Sequence, residues 1–147
     1  MASERFPPDD PREWLNRAKS SLAKAKITFG TTPEVYLEDL CFDAQQAAEK
    51  AIRAVLIHLG VRFPYIDDLA QLLALVERKG ETVSESVRRA ASLSDYAVEN
   101  RYPGLSEPVT RGEHEEALSI AEEVVRWAEK QLKKSNNPIT GLRGMTQ

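Results

Sequence analysis

Glycine and proline interrupt this sequence at a few widely separated places. The main breaks fall at residues 7–11, 30–33, 60–64, 80 and 103–112. The long stretches between them lack the strict alternation of apolar and polar residues that marks a half-buried strand. Several instead repeat apolar residues every three or four positions, as an amphipathic helix does. The pattern predicts an all-α protein, an antiparallel up-and-down bundle of about five helices.

Local start and stop signals predict where these helices lie. Asp10, Thr32 and Thr110 are N-cap candidates, and Glu113 completes a capping box with Thr110. Asp67 or Asp68 is favourable at the start of the third helix. The predicted helices span residues 11–29, 33–59, 67–79, 83–97 and 111–132.

The second predicted helix has two unlike faces. One is an apolar stripe that includes Cys41, whose position predicts a buried core residue. The opposite face is mainly polar, yet it also contains Phe42 and Ile57, so we expect neighbours on more than one side. The polar residues of that face are Asp39, Asp43, Gln46, Lys50 and Arg53.

Length and charge limit the class of protein. A chain of 147 residues fits one domain with its own core, and its single cysteine excludes a disulfide framework. Residues 1–132 contain 17 basic and 23 acidic side chains, whereas the last 15 contain three basic and no acidic ones. Such an acidic body argues against a broad nucleic-acid-binding surface. We divide the chain into an N-terminal extension (1–9), a helical bundle (10–134) and a disordered basic tail (135–147).

The sequence also predicts a location. No segment approaches the roughly 18 consecutive apolar residues of a membrane span. The amino terminus lacks the basic and apolar regions of a signal peptide. We therefore expect a soluble cytoplasmic protein without a membrane partner.

Metal and cofactor chemistry finds little support in the sequence. The two histidines, His58 and His114, are 56 positions apart and match no metal-ligand spacing. No glycine-rich phosphate loop is present. We expect no metal site and no cofactor.

Arg53 and His58 form an R-x4-H pattern on the second helix. An arginine can stabilise phosphorane-like charge while a histidine moves the proton of a ribose 2′-hydroxyl, which suits RNA cleavage. Five helical positions, however, correspond to about 140° of rotation. Glu49 is also correctly spaced to pair with Arg53. We favour an ion-paired surface arginine and a boundary histidine.

The segment 99–104 is a second candidate. Arg101 and Tyr102 stand beside Pro103, shortly after Tyr96, and can hold a phosphate or stack on a base. Alternatively, Tyr102 packs on the bundle while Arg101 bonds carbonyls at the end of the preceding helix. The residues leave both interpretations open.

Several of these segments together resemble the HEPN domain family, over about residues 11–132. The resemblance rests on residues 42–56 (FDAQQAAEKAIRAVL), Gly60, Asp68-Leu69 with Leu72-Leu73, then Leu93, Tyr96 and the R-Y-P of residues 101–103. It implies a dimeric, or higher oligomeric, helical bundle, commonly encoded beside a small nucleotidyltransferase as half of a toxin–antitoxin pair.

The resemblance also implies functional residues. Family members bind nucleotides or, with an R-x4-6-H motif, cleave RNA at a composite site in the dimer. Here Arg101 matches the motif's arginine, but no histidine follows at the required spacing and His114 is too distant. Asp67 stands where many relatives have a histidine. We therefore expect a nucleotide-binding or interaction component, with no catalytic residue assigned. Candidates for nucleotide or RNA binding, or for dimer contacts, are Gln46, Glu49, Lys50, Tyr96, Arg101 and Tyr102, with Arg53 and His58 as weaker ones.

Two alternatives stay open. One is an RNase toxin that uses Arg101 or an unconventional Arg/His pair, with RNA held by Arg88, Arg89, Arg101, Arg111 and the basic tail. The other is a structural dimerisation module whose interface includes Phe42, Ile57 and Tyr102.

Overall fold

The protein is an all-helical bundle in the computed structural model, which describes residues 4–27, 34–62, 68–96 and 108–134. These ranges contain helices and no strand, so the predicted all-α class is confirmed. A 3-10 helix, Arg89–Tyr96, continues the fourth helix. The α-helices are α1 (Pro11–Ala25), α2 (Leu37–His58), α3 (Leu69–Arg78), α4 (Glu85–Arg88) and α5 (Arg111–Lys133).

Polar contacts define the directions of α1 and α2. Lys50 Nζ donates to Ser21 Oγ at 3.1 Å, and Lys24 Nζ lies 3.5 Å from Asp43 Oδ1. A later residue of α1 thus contacts an earlier residue of α2. The two helices are therefore antiparallel.

Helix α5 runs in the same direction as α2. Near the start of both helices the Val109 N–H donates to Glu38, and near their ends His58 bonds the Lys134 carbonyl. Helix α1 is antiparallel to α5, as the pairs Lys19–Glu129 and Lys26–Glu122 show. The order of the three long helices thus departs from strict up-and-down alternation. Residues 59–110 return the chain to the end where α2 began.

Helix α2 is the centre of the bundle. Helices α1, α3, α5 and the 3-10 helix all pack on it. Its alanines allow close approach on several sides, and the prediction of more than one neighbour is confirmed. The α2 alanines with no exposed surface are Ala44, Ala47, Ala48, Ala51 and Ala54.

The predicted caps of α1 and α5 are confirmed. Asp10 Oδ1 accepts the Arg12 N–H at 2.8 Å. Thr110 and Glu113 form the reciprocal capping box. Each device satisfies backbone N–H groups that have no partner within the helix.

Helix α1 ends earlier than predicted, at Ala25 rather than near residue 29. The Lys26 N–H is shared between the Leu22 and Ala23 carbonyls, which tightens the last turn. The Ala25 carbonyl oxygen lies 2.9 Å from His114 Nε2 of α5. Gly30 lies outside the described residues.

Helix α2 begins at Leu37, later than the predicted start at residue 33, and residues 34–36 are not helical. The cap is Tyr36, without a side-chain hydrogen bond; Thr32 and Pro33 lie outside the described residues. A start at Leu37 places Glu38 and Asp39 in the first turn, where the helix dipole favours negative charge.

The fourth predicted helix is largely a 3-10 helix, which corrects the expectation of one α-helix over residues 83–97. Only four residues, Glu85–Arg88, are α-helical. In the following turns Ser92 Oγ donates to the Arg89 carbonyl and so competes for a backbone group of this helix. Ser94 Oγ accepts the Leu69 N–H at the start of α3 and ties the turn to that helix. Asp68 caps α3, while Asp67 lies outside the described residues.

Residues 4–9 lie against α1. The Phe6 N–H donates to Glu13 Oε1 at 2.9 Å, and Trp14 Nε1 donates to the Pro8 carbonyl at 2.8 Å. Within the four described ranges, no helix is long and apolar enough to cross a membrane. The tail 135–147 lies outside these ranges, and the division of the chain stays a prediction.

Candidate functional site

A polar row runs along α2 through three of the candidate residues. Gln46 Nε2 donates to Gln45 Oε1 at 2.8 Å, and Gln45 Nε2 donates to Glu49 Oε1 at 3.0 Å. The other Glu49 oxygen, Oε2, accepts from Arg53 Nε at 3.0 Å. The row therefore links Gln46 at its partly exposed end to Arg53.

Arg53 is buried, which corrects its predicted place on the surface. Its side chain is 3% exposed, and that of Glu49 is 14% exposed. The predicted ion pair between them is confirmed. Arg53 lies opposite the main apolar stripe of α2, but α3 and the 3-10 helix also pack on α2, so this face is not left to solvent.

The structure gives Arg53 and His58 different partners. Arg53 pairs with Glu49 one turn back along α2. His58 is half-buried at the end of α2, where its Nε2 lies 3.0 Å from the Lys134 carbonyl oxygen. The histidine therefore connects the ends of α2 and α5.

Lys50 faces α1 rather than open solvent. It is half-buried, and its ammonium donates to the hydroxyl of the buried Ser21. Burial lowers the pKa of Lys50, and the nearby Lys24 and Arg17 lower it further, while Glu49 and Asp43 act in the opposite direction. Burial likewise raises the pKa of Asp43, the carboxylate that pairs with Lys24.

Tyr96 ends the 3-10 helix and packs against the core. Burial, together with nearby Cys41 and Glu113, raises its pKa to about 12. Its phenol is therefore neutral at physiological pH. Cys41 itself is fully buried, as predicted, and burial raises its thiol pKa to about 12.

The structure describes only part of the predicted RNA-binding patch. Arg88 pairs with Glu77 of α3. Arg89 is exposed at the start of the 3-10 helix, and Arg111 is exposed at the start of α5. Arg101, Tyr102 and the basic tail lie outside the described residues.

Three buried polar residues were not singled out from the sequence as functional candidates. Gln45 has no exposed surface, and Ser21 is 2% exposed. Buried His114 has Nε2 2.9 Å from the Ala25 carbonyl oxygen. The four-residue spacing of Gln45, Glu49 and Arg53 was a signal for the row, whereas only tertiary packing pairs Ser21 with Lys50.

Family comparison adds to this geometry. The HEPN domain model matches residues 11–131. The chain belongs to the HEPN domain family. The resemblance noted from the sequence is thereby confirmed for nearly the whole folded part of this HEPN protein.

Two solved structures are similar to this HEPN protein. The crystal structure of TT1696 from Thermus thermophilus has 30% sequence identity and a TM-score of 0.70, covering 83% of this chain and 98% of that one. The crystal structure of ST0689, an archaeal HEPN homologue, has 23% identity and a TM-score of 0.67, with coverages of 84% and 98%. The second likeness concerns the fold alone. No curated protein matches the chain in sequence.

The arrangement offers hydrogen bonding and charge. In the described parts of the chain, no three His, Cys, Asp or Glu side chains are grouped as metal ligands. The Gln46 amide can donate to and accept from a nucleobase edge. Lys50 supplies positive charge for a phosphate, and Tyr96 supplies an aromatic ring.

Proposed function

We propose that this HEPN protein is a dimeric nucleotide-binding or interaction component of a toxin–antitoxin type module with a small nucleotidyltransferase partner. In this proposal Arg101 lacks the histidine that would complete the family's R-x4-6-H pair for RNA cleavage. One observation carries the proposal: both histidines of the chain bond backbone carbonyls, His58 that of Lys134 and His114 that of Ala25. Neither stands five to seven positions after Arg101, where the R-x4-6-H motif requires a histidine.

The bonding of the histidines favours a structural role for both. A histidine acting in RNA cleavage must reach the ribose 2′-hydroxyl to move its proton. His114 is only 9% exposed and contacts the end of α1. His58 connects the ends of α2 and α5. Both contacts stabilise the bundle without any substrate.

Nucleotide binding is supported by the polar groups beside the row on α2. Gln46 and Lys50 are half-buried, so each is accessible to a ligand while its surroundings restrict its movement. The acidic balance of residues 1–132 supports a small phosphate-bearing ligand over a long nucleic acid. Family membership supports the dimer and the nucleotidyltransferase partner.

Three measurements on the full chain test the proposal. Light scattering should give the mass of a dimer. Calorimetric titration with ATP or GTP should saturate, or the small nucleotidyltransferase encoded beside this gene should co-elute with the protein. Absence of both binding events would remove the support for this function.

An RNA incubation separates the proposal from the RNase alternative. We expect the RNA to stay intact. Cleavage by the wild type that is lost in Arg101→Ala would establish the RNase toxin instead. A purely structural module would form dimers that Ile57→Asp disrupts, while it binds neither nucleotide nor nucleotidyltransferase.

A further inference from the structure

Lys50 differs from every other lysine that the structure describes. Each of the others is exposed to solvent, and Lys50 alone is half-buried. Lys19, Lys24 and Lys26 on α1 all pair with carboxylates. Lys50 forms no ion pair with any described residue; its hydrogen-bond partner is the neutral hydroxyl of Ser21. Glu49 and Asp43 act on Lys50 only at longer range. A partly desolvated cation without a carboxylate in direct contact is stabilised when a ligand supplies negative charge.

The surroundings of Lys50 form a defined seam between two helices. On α2, Asp43, Ala47, Lys50 and Ala54 follow the spacing of a single helix face. Both alanines are fully buried. Small side chains there allow α1 to approach closely, so the ammonium group of Lys50 emerges along the edge of α1.

Helix α1 presents further cations to this seam. Arg17, Ser21 and Lys24 lie on one face of α1, at spacings of four and three residues. Arg17 and Lys24 are the two cations that lower the pKa of Lys50 beyond the effect of burial. Their side chains are each 60% exposed, so both can move toward a ligand.

The carboxylates near the seam already have partners. Glu13 bonds Arg17, and Asp43 pairs with Lys24. Glu49, the residue before Lys50, pairs with Arg53. The seam thus keeps a positive surplus at Lys50, although the body of the protein is acidic.

We propose that the α1–α2 seam at Lys50 binds a phosphate group of the nucleotide. This inference rests on the proposed nucleotide binding and assigns the phosphate to one place. The ammonium group of Lys50 contacts the phosphate as a point charge, and the buried Ser21 hydroxyl positions that ammonium by accepting one of its hydrogen bonds. Arg17 and Lys24 add charge from the exposed side of the seam. The base of the nucleotide extends toward Gln46, four residues before Lys50 on α2.

Calorimetric titrations with ATP, adenosine and inorganic phosphate test the seam. The variant is Lys50→Met, which retains an unbranched side chain of similar length without the charge. The matched control is Lys19→Met, since Lys19 is an exposed α1 lysine paired with Glu129. We expect Lys50→Met to raise the Kd for ATP at least tenfold, about 1.4 kcal/mol. Lys19→Met should leave it within twofold. Adenosine should bind the wild type more weakly than ATP does.

Thermal unfolding checks that the variants fold. Lys50→Met should be at least as stable as the wild type, because methionine needs no counterion. Inorganic phosphate should raise the Tm of the wild type but not that of Lys50→Met. Lys24→Gln, a change at an exposed position, should weaken ATP binding severalfold and provides a second test if Lys50→Met does not fold.

The outcomes separate this inference from the proposed function. ATP affinity that is equal in wild type, Lys50→Met and Lys24→Gln would overturn the seam site while leaving nucleotide binding intact. Failure of the wild type to bind ATP would overturn the inference and the proposed nucleotide binding together. Lys50-dependent binding of a single-stranded RNA, without Lys50-dependent ATP binding, would assign the seam to RNA and overturn the nucleotide site.

Discussion

Arg53 shows how strongly one buried charge depends on its neighbours. Its guanidinium is 3% exposed and bonds one oxygen of Glu49, while Gln45 occupies the other oxygen. Burying an ion pair brings little net stability, but removing one partner leaves the other charge desolvated and unpaired. The members of the polar row therefore depend on one another, because each satisfies a buried polar group of its neighbour.

Replacing Arg53 by methionine should destabilise the protein markedly. The change fills similar space but leaves the Glu49 carboxylate without its cation. We expect the free energy of unfolding to fall by about 3 kcal/mol, the order found when one partner of a buried pair is removed. Urea denaturation followed by circular dichroism measures this loss.

Arg126→Met is the matched control for this substitution. Arg126 pairs with Glu123 on the exposed side of α5, at a spacing of three residues. Exposed pairs of this kind contribute at most about 0.5 kcal/mol. Equal losses for the two variants would show that the buried row does not stabilise the fold.

At the scale of elements, the sequence predicted correctly the features that depend on residues within a single helix. The capping box of Thr110 and Glu113 and the apolar spacing of α5 lie within one helix, so both were readable from the sequence. The start of α2 and the 3-10 geometry of Arg89–Tyr96 depend on contacts with other elements. Ser94, for example, bonds the first residue of α3.

The candidate site, too, was only partly predictable from the sequence. The row through Gln46, Glu49 and Arg53 follows from spacing along one helix, and the sequence placed all three among the candidates. The burial of Arg53 and the contact of Lys50 with Ser21 do not follow from it. Helical periodicity describes a single apolar face, whereas α2 is packed on several sides.

The capping box gives a prediction at this scale. Thr110→Ala removes the Oγ1 that accepts the Glu113 N–H at 3.1 Å. We expect a loss of about 1 kcal/mol in the free energy of unfolding, as for other N-caps. Ser119→Ala, at an exposed interior position of α5, is the control and should be neutral or slightly stabilising, because alanine is the better helix former. A Thr110→Ala protein as stable as the control would contradict a stabilising cap.

Across the whole molecule, two histidines hold opposite ends of α5. His114, near its start, contacts the end of α1, and His58 contacts the carbonyl of Lys134 just after its end. Twenty residues of helix correspond to roughly 30 Å, so the two contacts have no common neighbour. Each fastens a different end of the bundle.

Independent contacts at this separation should have additive effects. We expect His114→Ala to lower the free energy of unfolding by about 2 kcal/mol, since it also leaves a cavity, and His58→Ala by about 1 kcal/mol. The double variant should lose the sum within about 0.5 kcal/mol. Denaturant titration of the four proteins measures this cycle, and a larger deviation would mean that the two ends are energetically coupled.

The parallel arrangement of α2 and α5 also affects the protein while it is being synthesised. Helices α1 and α2 are close in sequence and can pair as soon as both have left the ribosome. The surface of α2 that α5 covers stays open until residues 59–133, which include α5 itself, have been translated. During that interval the nascent chain exposes apolar side chains of its central helix, a state in which chaperones bind and neighbouring chains aggregate.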